Sequence, residues 1–364
     1  MGKVVINDVV KFTREFRVVI GCGALNDLPK ILEWLRPHKA LVITDSKLSN
    51  SVLPKVKELI SEVGLESLVI TLGGGEGVKS LSTLVKLWEL MIESGLTRGS
   101  VVIALGGGTV LDVAGFAAST FMRGCKLVNI PTTLLSQVDA CLGGKTGIDL
   151  IGKNTVGTYY QAHAVVIDPE LLRTLPNDVF REGISEVVKY AVIDGEPFLK
   201  YLEGVMSDFL RRDAGVLEDV IRECIEVKLS IIRRDYVESG VRAVLNFGHT
   251  VGHALERLSE WSLSHGKAVS IGLVIESLVA HKLLNFPLSD TYRIRELLSR
   301  AGLPTVTNAS PSSIIEATKL DKKFVRGLPK LPLPRRLGEF EIVEVDWGVF
   351  RRCLEVALRM SVAS

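Results

Sequence analysis

The spacing of apolar positions divides the chain into two textures. In the first half, short runs rich in β-branched residues alternate with stretches of helical period. FRVVIG and KALVITD read as strands, the second ending at Asp45, and LPKVKELISEVG reads as an amphipathic helix. SLVITLGGG is a third strand, LSTLVKLWELMIESG a helix, SVVIALGGG a fourth strand, and GTVLDVAGFAASTFM the helix after it. KLVNIPTT and AVVIDPELL add two more strands. Alternation of this kind predicts an α/β domain of Rossmann-like type, a mostly parallel sheet with helices on both faces.

Past Pro176 the period becomes helical almost throughout, in EGISEVVKYAVI, FLKYLEGVMSDFLR, LEDVIRECIEVKLSIIRRD, GHTVGHALERLS, KAVSIGLVIESLVAHKLL and TYRIRELLSRAG. Strand signals nearly vanish until EIVEVD. The proline and capping aspartate of TLPND set the boundary at 174–178, giving an α/β domain over 1–176 and an all-α domain over 177–364. LPKLPLPRR (328–336) is expected to be a mobile loop.

At 364 residues the chain is long enough for two domains and a well-buried core. Its 44 basic and 42 acidic residues give no electrostatic case for nucleic acid or a membrane surface. The apolar windows near 101–121 and 268–284 are broken by Gly, Asp, Arg or Glu, so neither reads as a membrane span. Five scattered cysteines with no C-x-x-C pair fit a reduced compartment, and MGKVVINDVVKF has no signal-peptide core. A soluble cytoplasmic protein is expected.

The stretch richest in chemistry runs from Glu238 to Gly266 and holds three of the six histidines, His249, His253 and His265. Glu238, Arg242, Asn246, His249 and His253 follow one another at three- or four-residue steps. On a continuous helix that spacing stacks them on one face. Such a row is a poor core stripe and suits a polar pocket with a metal, since zinc takes neutral imidazole, often with a carboxylate. Spacing alone nominates His249 and His253 as joint ligands. Solvated or core histidines remain the alternative.

ALGGGTVLD follows a strand and opens a helix, where a nucleotide phosphate can sit on backbone N–H groups, although it is not a G-x-G-x-x-G fingerprint. LGGGEGVKS adds Glu76 and Lys79, Asp45 can accept from a ribose hydroxyl, and Thr132 and Thr133 end another strand on the same edge. A dinucleotide across that edge is the reading these residues favour over plain tight turns. DACLGGKTGIDLIGKN places Asp139, Lys145, Lys153 and Asn154 on a glycine-rich loop, with Arg123, Glu186, Lys189 and Lys228 on neighbouring segments. So many cations imply a substrate with at least two anionic groups.

Taken together, ALGGGTVLDVAGFAASTFMRG, NIPTTLLSQVDACLGGKTGI, GKNTVGTYYQ, TLPNDVFREGISEVVKY, LNFGHTVGHALE, SHGKAVSIG and LDKK resemble the 3-dehydroquinate synthase family, in order over residues 70 to 325. The resemblance implies that family's fold and a metal set of Glu186, His249 and His265, zinc with cobalt as an alternative, instead of the His249–His253 pair. It implies NAD contacts at Asp45, Gly74, Glu76, Lys79, Gly107, Gly108, Asp112, Thr132, Thr133, Lys145, Lys153 and Thr174. Implied substrate contacts are Asp139, Lys145, Asn154, Lys189, Lys228, Glu238, Arg242, Asn246, His253 near the leaving phosphate, and Lys322 or Lys323. Arg123 matches an arginine that reaches the neighbouring subunit's site, implying a homodimer. Two departures stand out: the segment between Lys145 and Lys153 is one residue shorter than the bacterial form, and the Pro/Arg-rich stretch after LDKK matches poorly.

The implied reaction takes the sugar phosphate 3-deoxy-D-arabino-heptulosonate 7-phosphate, whose carboxylate and phosphate meet the two-anion requirement. NAD oxidises carbon 5, phosphate leaves carbon 7 by β-elimination, the hydride returns, the ring opens and an aldol step closes the carbocycle. Net redox change is zero, so the enzyme is a lyase of the shikimate pathway. The rivals are a metal-dependent polyol or glycerol-1-phosphate dehydrogenase, which has no need of Arg242, Asn246, Lys228 or the GGK loop, and another sugar phosphate cyclase. A non-catalytic descendant would be expected to have lost some of these polar residues.

Overall fold

The structure is a computed structural model and describes residues 15–320 and 327–363. Lys322 and Lys323 therefore lie outside the described residues. The first half contains strands β1 (Arg17–Ile20), β2 (Ala40–Asp45), β3 (Ser67–Leu72), β4 (Val101–Gly106), β5 (Lys126–Pro131), β6 (Lys145–Ile148), β7 (Val156–Tyr159) and β8 (Ala164–Ile167). Helices α1 (Leu28–Leu35), α2 (Leu53–Glu62), α3 (Leu81–Glu93) and α4 (Gly108–Thr120) are interleaved with them. Six strands form one sheet in the order β1-β8-β5-β4-β2-β3, with every pairing parallel.

A parallel sheet needs both faces covered, and the strand alternation shows how this is done. Ala40, Val42, Val101, Ile103 and Leu105 pack into one apolar cluster with α1 and α2, while Leu41, Ile43, Val102 and Ala104 face the other way into the large core. The chain leaves β2 for β3 on one side and returns to β4 on the other, so strand order reverses between β2 and β4. Ligands of open α/β sheets bind outside the carboxyl ends at such a point. Asp45, the Gly73–Gly75 turn, Gly107 and Thr132 all follow strand ends on that edge.

The second half contains α5 (Asn177–Asp194), α6 (Glu196–Leu210), α7 (Ala214–Ile232), α8 (His249–Leu258), α9 (His265–Leu284), α10 (Leu288–Arg300), α11 (Pro311–Lys319), strands β9 (Lys330–Arg336) and β10 (Glu339–Glu344), and α12 (Trp347–Ala363). Buried along most of its length, α9 packs against α8, α12, α5 and β9.

Three expectations are corrected. The second half is mostly helical but not all-α, because β9 and β10 pair antiparallel. The expected mobile loop 328–336 is largely β9, with Leu331 and Leu333 fully buried. Proline gives no N–H to a ladder, so it is tolerated in a strand with a free edge, and among the described residues β9 pairs only with β10. The GGK loop is an antiparallel ribbon, with β6 and β7 pairing Lys145 with Tyr159 and Ile148 with Val156.

Candidate active site

The polar row from Glu238 to His253 is not one helix. Val241–Asn246 forms a tight 3-10 turn, Phe247 is extended (φ −57°, ψ 130°), and Gly248 is left-handed (φ 80°) before α8 starts at His249. Stacking by spacing therefore fails at Phe247–Gly248. The residues converge because the segment folds back over α5, α7 and the β6–β7 ribbon, not because they share a face.

Within α5, Glu186 and Lys189 are one turn apart and almost fully buried, with Lys189 Nζ 2.5 Å from Glu186 Oε2. The other oxygen, Oε1, lies 3.3 Å from both His249 Nε2 and His265 Nε2. The three donor atoms fall within 4.8 Å of one another. His253 does not join them; it groups with Glu256 and His265 instead, so the i,i+4 pair nominated by spacing does not share a donor set.

Burial lowers His249 to about 4, against the pull of Glu186, so its ring is neutral at neutral pH. Its Nδ1 lies 3.1 Å from the Phe247 carbonyl and donates there. That leaves a lone pair on Nε2 facing a carboxylate oxygen. Burial alone would raise Glu186, yet the Lys189 ammonium beside it holds it well below the usual carboxylate range. Two electron-rich atoms aimed at each other fit a shared cation, and a carboxylate with two imidazoles is a donor set that zinc or cobalt accepts. His265 is raised to about 9 although burial opposes the charge, because Glu186 and Glu256 both face it.

Asp139 lies in a π-helical turn, Ser136–Ala140. It accepts from Lys228 Nζ at 2.8 Å and from the Tyr190 hydroxyl, with Lys189 Nζ at 3.8 Å. Burial would raise its carboxyl, but the two lysines outweigh that and hold it far below the ordinary value. Beside this cluster Arg242, 1% exposed, donates to the carbonyls of Tyr236 and Gly143, the latter at 2.9 Å. Its Nε is buried with no partner. Glu238 accepts from Asn246 and pairs with Lys145 of the ribbon.

At the sheet edge, buried Lys79 bonds Asp112 at 2.9 Å, pairs with Glu76 at 3.3 Å and donates to Asn154 Oδ1. Glu76 accepts from Thr109 at 3.0 Å, and Asp45 accepts from the Lys47 N–H at 2.8 Å. At Gly107 a Cβ would lie 3.2 Å from Thr133 Cγ2. A side chain there would crowd the Thr132–Thr133 turn against the start of α4.

The ribbon end joins the two regions. Asn154, expected at the substrate, bonds Lys79 on the sheet edge, while the adjacent Lys153 pairs with Glu256 at 3.0 Å. Glu256 Oε2 lies 3.5 Å from His265 Nδ1. Among the described residues, no hydrogen bond or ion pair joins Arg123 or Thr174 to these clusters; both are exposed. Sequence reasoning missed Glu256, Tyr190 and Glu276. Glu256 had a signal, since it follows His249 and His253 at helical steps of seven and three. Tyr190 and Glu276 sit in apolar runs and had none.

Models of the N-terminal and C-terminal 3-dehydroquinate synthase domains match residues 69–182 and 183–324. The chain belongs to the 3-dehydroquinate synthase family. It is 42% identical over 333 residues to the 3-dehydroquinate synthase of Thermococcus kodakarensis, covering 92% of this chain and 93% of that one. Two solved structures superpose closely. ValA, a 2-epi-5-epi-valiolone synthase from Streptomyces hygroscopicus with NAD+ and Zn2+ bound, has a TM-score of 0.87 at 25% identity, covering 100% of this chain and 99% of that one. A 2-deoxy-scyllo-inosose synthase complexed with carbaglucose-6-phosphate, NAD+ and Co2+ has a TM-score of 0.84 at 26% identity, covering 94% and 96%. Within this family the Glu186–His249–His265 cluster and the glycine edge are two parts of one 3-dehydroquinate synthase fold, bridged here by the ribbon.

Proposed function

We propose that this chain is a 3-dehydroquinate synthase, converting 3-deoxy-D-arabino-heptulosonate 7-phosphate to 3-dehydroquinate and phosphate. The observation that carries the reading is the convergence of Glu186, His249 and His265 beside Asp139 and the buried Lys189 and Lys228, in a chain matched by both family models. When bound, NAD supplies a hydride acceptor that also gives the hydride back, and a divalent cation, zinc or cobalt, supplies a Lewis acid for the oxygen at carbon 5.

The protein's own part is positioning and charge stabilisation. Glu186, His249 and His265 hold the cation; Glu256 keeps the proton on His265 Nδ1, leaving Nε2 free to bind. Lys79, Asp112, Glu76, Asp45, Gly74, Gly107, Gly108, Thr132, Thr133 and Lys153 line the nucleotide's place, and Thr174 is added to them on the family resemblance alone. Arg242 grips the substrate carboxylate with N–H donors left over from the Tyr236 and Gly143 carbonyls that hold it in place. Lys145, Asn246, His253 and Asn154 receive the phosphate, and Lys189 with Glu238 the ring hydroxyls. Asp139 keeps Lys189 charged and holds Lys228 in place. Arg123, exposed at the end of α4, reaches the partner's site in a cytoplasmic homodimer acting in aromatic amino-acid biosynthesis.

The test is phosphate release from that substrate with catalytic NAD and Zn2+, while NADH absorbance is followed. Phosphate and 3-dehydroquinate with no net NADH are expected. NADH accumulating with a polyol, and no phosphate released, would replace this reading with a dehydrogenase.

A further inference from the structure

One fully buried carboxyl group has no part in the chemistry above. Glu276 is the only acidic residue of α9 and lies at 0% exposure in the apolar run SIGLVIESLVA. A carboxyl there is costly unless it is hydrogen-bonded. Its partners belong to another helix: the Gly248 N–H donates to Oε2 at 2.8 Å and the Val251 N–H to Oε1 at 2.9 Å, and the Thr250 N–H also faces it. The first N–H groups of a helix have no intrahelical acceptor, and a Ser, Thr, Asp or Asn at the N-cap normally supplies one. In α8 that position is Gly248, with no side-chain cap.

A capping side chain has no room at Gly248. The backbone is left-handed there, and a Cβ would lie 2.7 Å from Leu273 Cδ2. On the facing side, a Cβ on Gly272 would run into the Gly248 carbonyl. The start of α8 thus lies flat on α9 and takes its cap from it. Each helix begins with an imidazole that faces Glu186: His249 opens α8 and His265 opens α9. Sliding α8 along α9 would change the separation of those rings, now 5.3 Å between centroids.

We propose that Glu276 is a positioning residue of the active site, whose bonds to the first turn of α8 lock the register of α8 on α9 and so set His249 Nε2 against Glu186 and His265. The inference rests on reading those three residues as the metal set. Glu276 acts through the α8 backbone, not by touching the ligands.

The test compares Glu276→Gln with Val279→Ala, a cavity-forming change at another buried position of α9. Affinity for Co2+ and Zn2+ is read by competition with a chromophoric chelator, alongside the visible spectrum of the Co2+ form, Tm, kcat and KM. Glu276→Gln is expected to weaken metal binding about 10- to 100-fold, the range for supporting shells of metal sites. The cobalt bands should shift and kcat fall, with KM little changed. Val279→Ala should lower Tm without moving affinity or spectrum. Wild-type affinity and spectrum in Glu276→Gln, with only Tm reduced, would overturn the proposal. Wild-type protein that takes up no metal would instead overturn the metal reading itself. Where Glu276→Gln does not fold, hydrogen exchange on the wild type decides. Slower exchange at the Gly248 and Val251 amides on adding Zn2+ is expected, because coupling is reciprocal. Unchanged rates there would sink the proposal.

Discussion

Arg242 illustrates how much a single side chain in this site is asked to do. Its planar fork of five N–H donors holds two backbone carbonyls from different segments with donors to spare, a pattern that a lysine's single ammonium cannot reproduce. Arg242→Lys should therefore lower kcat/KM by about 30- to 1,000-fold, about 2–4 kcal/mol of transition-state stabilisation; a value within about threefold of wild type would remove Arg242 from the site. Glu276 carries a pH signature. Burial pushes its carboxyl up to about 8, against the backbone N–H groups that favour the charge. The folded state therefore retains a proton that the unfolded chain gives up near the ordinary value of 4.5. Its contribution to stability is fully present below that pH and is lost as pH rises through about 8, with a slope approaching ~1.4 kcal/mol per pH unit. Denaturant midpoints across that range should lose this slope in Glu276→Gln, and an unchanged slope would show that the group does not titrate there. At this scale the cations were legible, because a lysine in a glycine-rich loop stands out by type. Glu276 was not, because an acid in an apolar helix signals nothing until its partner is known.

Among the elements, the β6–β7 ribbon contributes Lys145, Lys153 and Asn154, and glycine seats it. At Gly115 of α4 a Cβ would lie 2.5 Å from Thr146 Cγ2, and at Gly157 it would run into the Thr146 carbonyl. Gly157→Ala should push the strands apart, costing about 1–3 kcal/mol of stability by overpacking and lowering kcat/KM as Lys145 moves. Thermal unfolding and steady-state kinetics check both; a variant unchanged in each would mean the ribbon tolerates displacement. Four-residue strands built around glycine have too little alternation to be read from sequence, so this element looked like a loop. The prolines hid β9 in the same way, although Leu331 and Leu333 bury fully. The long helices and the parallel strands were legible because their periods run for several turns or for a whole buried run.

For the molecule as a whole, metal and nucleotide should be visible as stability, since a ligand that binds only the folded state raises it by mass action. With free Zn2+ about a thousandfold above its Kd, unfolding should cost about 4 kcal/mol more than in chelator, and NAD should add its own increment. Equal Tm values with and without chelator would count against a resident cation. By itself the sequence determined the two textures, the parallel sheet with its glycine edge, and which residue types were available for chemistry. These are local properties, written in period and composition. Tertiary structure alone decided which groups meet. Helical spacing does bring the His249 and His253 rings together on α8, 5.4 Å between centroids, but spacing cannot say which ring meets the carboxylate of another helix. Packing of α8 and α9 against α5 instead brings Glu186 to the Nε2 atoms of His249 and His265, a contact between segments far apart in sequence that no local pattern encodes.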